Sequence, residues 1–497
     1  MEWIVRLECR DQNRVLHERD IARVERPTDI LGPDELGLSL LDAKALLRSI
    51  QSNLVKDQVA IQAAARRVCP VCGRNRRIKD YRERLLRSLF GEILIRCPRY
   101  VGCECRETKT RAEWPLQGAM PNRHTPEFVY LLAKLGSAMP YRKAVALLRE
   151  LLPLSSREVS YGNVRRRTLA VGDELEKRAT DRTEYDEYGP GRSAVMNARH
   201  ITVALDGTWV RADCSASGRQ LHVIAGRIER NGQLGNRFAW VPEAARACSA
   251  KMMRSALDDD GYTNETKLSV LADGADGLPR VVQNGIKRTL TTKLDWFHIS
   301  MRLRHIEQMT SKTAVLMADP GTERWVRRQV PRLRWLVWHG RWVEILPLLT
   351  QLSRATKLAM SSSGVTAHDR LRRFRRHAVE LRRYLRNNSR GLMNYGLARR
   401  RGQRISTAPA ESEMGHLVKE RMGRGKPIRW SADGANSLLQ VRCAVLDSRL
   451  DKLFREWYPR FQRTPWTIEL RGRGRVALGA YETFPRMPSC GLVPPGV

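Results

Sequence analysis

The chain has 497 residues, with 89 Lys and Arg against 53 Asp and Glu, a formal charge of +36 and a pI near 10.6. That length exceeds one hydrophobic core and predicts three or four folding units, and so large a positive surplus implies a polyanionic partner, with nucleic acid favoured because each neutralised phosphate releases a condensed counterion. No stretch approaches the roughly 18 uncharged apolar residues of a membrane span, and MEWIVRLECRDQNR lacks a signal-like apolar core, which excludes a membrane partner and predicts a cytoplasmic protein.

Residues 1–66 contain a long amphipathic helix: Leu40, Ala43, Leu47, Ile50 and Leu54 step by three and four, and Ser39 with Asp42 can cap the first turn. Five of the ten cysteines, Cys69, Cys72, Cys97, Cys103 and Cys105, fall in the next segment, 67–110. Too few for a disulfide scaffold and clustered around Cys-x-x-Cys, they predict a small zinc module in which five thiols compete for four tetrahedral positions. Cys9, Cys214, Cys248, Cys443 and Cys490 are scattered and read as packing residues.

Residues 120–180 predict helices over 141–154 and 161–179 separated by SSREVS, a helix-turn-helix-like region. Arg165, Arg166 and Arg167 in its second helix are candidate DNA contacts. Glycine, proline and charge at 186–194 mark a linker. The pattern then changes to period two: Ile201, Val203 and Leu205 lead to Asp206, LHVIAGRI follows a turn, KLSVLADG leads to Asp273, and TKLDWFH carries a further strand into a helix.

Residues 301–400 predict a basic helical insertion. Trp335, Trp338, Trp342, Ile345 and Leu349 keep one helical spacing and read as core, as do Leu371, Phe374, Ala378, Leu381 and Leu385; Arg372, Arg373 and Arg376 lie opposite the second stripe and can track a DNA backbone. Residues 401–460 hold a helix with Glu411 and Glu413, stopped by Gly423, and a further helix before the tail, 461–497. ADGA occurs at 272–275 and 432–435, and Asp433 in the second copy reads as a helix N-cap.

The fold class expected is multidomain α+β: helical and zinc-binding N-terminal modules, then an RNase H-like α/β domain, 198–300 with 401–460, split by the all-α insertion. In that layout two neighbouring strands each deliver one aspartate, Asp206 and Asp273, and a later helix brings a glutamate beside them. Three carboxylates repel one another until hard cations take their oxygens, and two Mg²⁺ or Mn²⁺ ions suit phosphodiester chemistry. Any single Asp-Gly after a strand reads first as a turn; the pairing of Asp206 with Asp273 raises both above that reading. Asp276 reads as a turn cap. Asp295 and His298 of DWFH are expected beside the site, Asp295 to hold the strand end and His298 to meet DNA or a proton-carrying water.

The segments ITVALDGTWVR, LADGADGL, LDWFHISMRLRHIEQ and ESEMGHLVKERMGRGKPIRWSADGANSLLQVR resemble bacterial insertion-sequence transposases of the ISKra type, within the DDE group, and the likeness extends back through GLSLLDAKALLRSIQSNLVKDQ, CPVCG and YRKAVALLRELLPL. The resemblance implies Asp206, Asp273 and Glu411 as the catalytic, Mg²⁺-holding acids, with Glu413 the open alternative. It implies Cys69, Cys72, Cys103 and Cys105 as the zinc set, with Cys97 the alternative to one of the second pair. It further implies a nucleoid-associated enzyme that binds double-stranded DNA, both the inverted repeats at its element's ends and the target, and that self-associates as a dimer or larger. A non-catalytic DNA-binding regulator and a purely hydrolytic RNase H-like nuclease are the rival classes.

Overall fold

A computed structural model describes residues 1–461 apart from 12–13, 27–31, 33–35, 104, 106–111, 117–122, 186–198, 215–217, 246, 275–276, 291, 362, 408–414, 424 and 427, with backbone alone for 182–185. The expected linker at 186–194, Asp276, Glu411, Glu413, Cys490 and nearly all of the 461–497 tail lie outside the described residues. Those described form a mixed α+β protein. The chain up to Leu450 makes one compact unit, and the described residues from Asp451 on belong to a second, in which Phe454 clusters with Trp457, Tyr458 and Phe461.

The chain opens on an antiparallel hairpin, β1 (Glu2–Asp11) and β2 (Arg14–Glu25). Sequence reading missed it, because both of its faces carry charge and its apolar residues stay largely exposed. It leans on α1 (Leu40–Ala65), which has the expected capping box between Ser39 and Asp42. The predicted apolar stripe of α1 is not its core face: Leu40, Leu47 and Leu54 are exposed, and Val59 and Ala63 in its last turns are the buried residues. Those two pack on β3 (Ile78–Ser88) and β4 (Gly91–Val101), which with β5 (Ala112–Glu113) form a three-stranded sheet. On β4, Ile93, Ile95 and Cys97 alternate inward against Leu86 and Trp114, the period-two pattern of a sheet with one covered face.

Three helices follow, α2 (Pro126–Ala138), α3 (Tyr141–Leu151) and α4 (Tyr161–Tyr185). The connection from Leu152 to Ser160 is longer than the three or four residues of a tight helix-turn-helix turn. Nor is this region a separate module, since Phe128, Leu132, Leu148 and Val164 share one core with the large sheet.

That sheet has the order β10-β9-β6-β7-β8, from β6 (His200–Arg211), β7 (Gln220–Arg230), β8 (Gln233–Trp240), β9 (Lys267–Ala272) and β10 (Thr292–Leu294). β6 pairs antiparallel with β7 and parallel with β9, and β9 pairs parallel with β10. Ile201–Leu205 of β6 is buried on both faces, as a strand flanked by a parallel neighbour and covered above and below should be. One face carries α5 (Ser249–Asp259) and α6 (Gly277–Ile286), and the other carries α2, α4 and the helix Ala432–Leu446. β8 and α5 escaped the sequence reading.

The helical insertion comprises α7 (Trp296–Ala314), α8 (Pro320–Trp338), α9 (Trp342–Ser361), α10 (Val365–Asn387) and α11 (Tyr395–Arg400), around its own core. The five apolar residues predicted for α10 are all buried. The tryptophan stripe is not one helix: the chain turns at His339–Arg341, Trp335 is 50% exposed against His339, and Trp338 and Trp342 pack partly on the core. Asp433 is not the N-cap of its helix; Ser431 is, and Asp433 accepts the Ala245 N–H at 2.8 Å. Among the described residues no helix is long and apolar enough to cross a membrane.

Candidate functional site

Ala204 of β6 pairs in parallel register with Leu271 of β9, and two residues further on in each chain stand Asp206 and Asp273. Both carboxylates thus leave adjacent strands at one level, and each is half-buried. Asp206 does not end its strand, as the sequence reading expected. β6 runs on through Gly207 to Arg211 against β7, and Asp206 marks where the parallel partner β9 stops. β9 gives way to a turn at Gly274, whose φ of +96° suits glycine and where a Cβ would lie 2.7 Å from Oδ1 of Asn388, the C-cap of α10.

Burial, and then the charge of Asp273, push the Asp206 carboxyl above its ordinary range; the Gly207 N–H, 2.7 Å from Oδ1, and the nearby His298 and Lys419 only partly offset this. Two carboxylates so placed are under electrostatic strain that a divalent cation relieves. Their oxygens are the hard donors that Mg²⁺ or Mn²⁺ takes, so the pair fits such an ion.

Asp295 follows β10, one strand further out, and its N–H donates to Ala272 O at 3.0 Å. It is fully buried and caps α7. Its carboxylate accepts the Phe297 N–H at 2.9 Å, the Thr407 N–H at 2.9 Å and the Thr407 hydroxyl at 2.5 Å, and pairs with His298 Nδ1 at 2.7 Å. Burial alone would raise its pKa, but the bonds from His298 and Thr407 outweigh that and hold the carboxyl below its usual range. Asp295 is therefore saturated by protein donors and orients His298, which lies within electrostatic reach of Asp206.

The chain on either side of the segment holding Glu411 and Glu413 is anchored. Thr407 is bound to Asp295, and after the segment Gly415–Lys419 forms a π-helical turn leading into Glu420–Met422, with Leu417, Val418 and Met422 in the sheet core. Arg442, 3% exposed, donates to Leu417 O at 2.6 Å and His416 O in the π turn and to Ser137 O of α2 at 2.5 Å, tying the two elements together. Arg421, 2% exposed, lies 4.7 Å from the Tyr141 ring and 5.3 Å from the Trp430 ring, a cation held by two aromatic faces. Neither arginine stood out in the sequence, because nothing local marks a cation as buried.

At the N-terminal module Cys69, Cys72, Cys103 and Cys105 bring their four sulfurs within 4.8 Å of one another. The separations Cys69–Cys105 at 3.5 Å, Cys72–Cys103 at 3.4 Å and Cys103–Cys105 at 3.3 Å approach the edge of about 3.8 Å that a Zn–S bond near 2.3 Å sets for a tetrahedron. Gly73, φ +71°, closes the first knuckle with its N–H on Cys69 O. N–H groups of Cys72 and Val71 push the Cys69 thiol down to about 6, while its thiol neighbours Cys103 and Cys72 push Cys105 up to about 12. Four sulfurs this close cannot all ionise without a cation, so the set fits a structural zinc. Cys97 is excluded: it is fully buried in the α1–sheet core, and burial pushes its thiol up.

Cys9, His17 and Asp57 form a second close group. Arg19 already occupies it, donating to Asp57 at 2.8 Å and lying 3.2 Å from both His17 ring nitrogens, so a guanidinium stands where an ion would sit.

Among the candidate DNA contacts, Arg165, Arg166, Arg372, Arg373 and Arg376 are exposed, while Arg167 is half-buried. The helix bearing the second set reaches the carboxylate pair, since Tyr384 of α10 donates to Asp273 O at 2.7 Å and Arg302 of α7 lies 4.3 Å from the Tyr384 ring. Comparison with protein-family models found no match, and no curated protein matches the chain.

Proposed function

We propose that the protein is a DDE transposase that cuts DNA at the ends of an insertion sequence and joins those ends to target DNA. The observation that carries this is the shared register level of Asp206 and Asp273 on adjacent parallel strands, with the Asp206 carboxyl raised by burial and by its neighbour. A mixed sheet with β6 at its centre, helices on both faces and a helical insertion before the returning chain supports an RNase H-like reading of the core.

In this reading Asp206, Asp273 and Glu411 hold the divalent ions. Such ions would supply Lewis-acid activation of an attacking water or 3′-hydroxyl and charge stabilisation for the leaving oxygen. Asp295 fixes the ring of His298 beside Asp206, and Lys419 adds a positive charge for the scissile phosphate. Thr407 and Arg442 anchor the chain on the two sides of Glu411. The cysteine set holds zinc and supports the N-terminal DNA-binding region, and the +36 charge supplies sequence-blind affinity for phosphate. Binding of both element ends by a self-associated protein belongs to the same proposal.

The test is a strand-transfer reaction with the zinc-loaded protein, Mg²⁺, pre-cut element ends and a plasmid target. The proposal expects covalently joined products that vanish with Asp273→Asn. Nicking without joining would make the protein a hydrolytic nuclease, and duplex binding without either reaction would make it a regulator.

A further inference from the structure

Four arginines from three pieces of chain meet around one histidine. The Arg87 N–H of β3 donates to Arg123 O at 2.8 Å and the Thr125 N–H donates to Arg87 O at 2.9 Å, a parallel bridge that seats His124 beside Arg87. His124 is 8% exposed, stacks on Phe128 with ring centroids 5.8 Å apart, and buries an Nε2 that has no hydrogen-bond partner. α4 brings Arg166 and Arg167 within electrostatic reach of the same ring, and Arg167 Nε is also buried without a partner. Glu158, 3% exposed, ties the seam together: it accepts the Glu92 N–H of β4 at 2.7 Å and the Ser155 N–H of the α3–α4 connection, and pairs with Arg48 of α1.

The positive charge here is poorly compensated. Glu92 pairs with Arg87, and among the described residues Arg123, Arg166 and Arg167 have no carboxylate partner. Burial first, then Arg167, Arg87, Arg123 and Arg166, hold His124 down to about 4 and so neutral. Burial, Arg166 and Arg87 likewise lower Arg167. Clustered guanidiniums without counter-charge are destabilising until an anion enters, and planar bidentate donors suit phosphate.

We propose that Arg87, Arg123, Arg166 and Arg167 form a single phosphate-binding site for the backbone of duplex DNA, built across the seam between the three-stranded sheet and α4. The site rests on the DNA-binding function proposed above and extends it, because it makes the zinc-bearing sheet and α4 one composite surface. Contacts of this kind set register on the duplex and carry no sequence information of their own.

The test measures binding of the full-length, zinc-loaded protein to a fluorescent duplex, without Mg²⁺, across a salt series. Arg123→Gln with Arg166→Gln, both exposed in the folded protein, is the primary variant, and Arg87→Gln the second. Each lost contact should weaken binding roughly fivefold at 0.15 M salt and lower the slope of log K against log salt by about 0.9. In addition, the His124 resonance should titrate at higher pH in the duplex complex than in the free protein. Variants that keep zinc, bind as wild type and keep its salt slope would overturn the site while leaving the transposase reading intact. A wild-type protein that fails to bind duplex at all would overturn both.

Discussion

The hydroxyl of Tyr384 donates to the backbone carbonyl of Asp273 at 2.7 Å, across 111 residues of chain. The arginine-bearing helix of the insertion therefore holds the turn that aims one of the two candidate metal-binding carboxylates. Tyr384→Phe removes this one bond and should cost about 1 kcal/mol of stability. Its larger effect should fall on DNA nicking, as a severalfold rise in the Mg²⁺ concentration for half-maximal rate with duplex affinity unchanged. Equal Mg²⁺ dependence in the two proteins would mean that the bond does not position Asp273.

The carboxylate pair makes stability depend on pH. Asp206 has its folded pKa raised, by burial and then by Asp273, so the stability it contributes is fully present below its unfolded pKa and is lost as pH rises through the folded value. Without divalent ions, Asp206→Asn should resist urea better than wild type at pH 7, and the gap should close as the pH is lowered through the acid range. Added Mg²⁺ should stabilise the wild type and leave the variant unchanged.

Zinc analysis separates the five clustered thiols. Wild type should carry one zinc in this module, and Cys72→Ser or Cys103→Ser should lose it together with much of the module's fold. Cys97→Ala should keep the metal and lose about 1 kcal/mol from the small cavity left in the core of α1 and the sheet. Loss of zinc in Cys97→Ala would reverse the assignment.

Arg442 is a buried cation with three backbone carbonyls on its guanidinium. Arg442→Met leaves those carbonyls without donors and should destabilise by about 3 to 5 kcal/mol in urea unfolding. Arg442→Lys should restore part of that.

Local chemistry made some of this legible in the sequence. The Ser39–Asp42 capping box, the five-residue stripe of α10 and the apolar runs into Asp206 and Asp273 all appear in the fold, because each is decided by neighbours three to four or two residues apart. What depends on a distant partner was not legible. The end of β9 beside Asp206, the exposure of Leu47 and Leu54 on α1, and the burial of Arg442 are decided by segments far away in the chain. Cys97 is a different case. Its alternation with Ile93 and Ile95 was there to be read, but its proximity to four other cysteines kept it open as an alternative ligand.

The most direct test of the central claim, that Asp206 and Asp273 serve one metal-dependent cleavage site, is Mg²⁺-dependent nicking of element-end duplex by Asp206→Asn, Asp273→Asn and the double variant, each shown to retain zinc. Residues acting as one unit are non-additive, so each single change should lower the rate by roughly a thousandfold or more and the double should be no worse. Nicking that persists in either single variant, or two small effects that simply multiply in the double, would contradict the account.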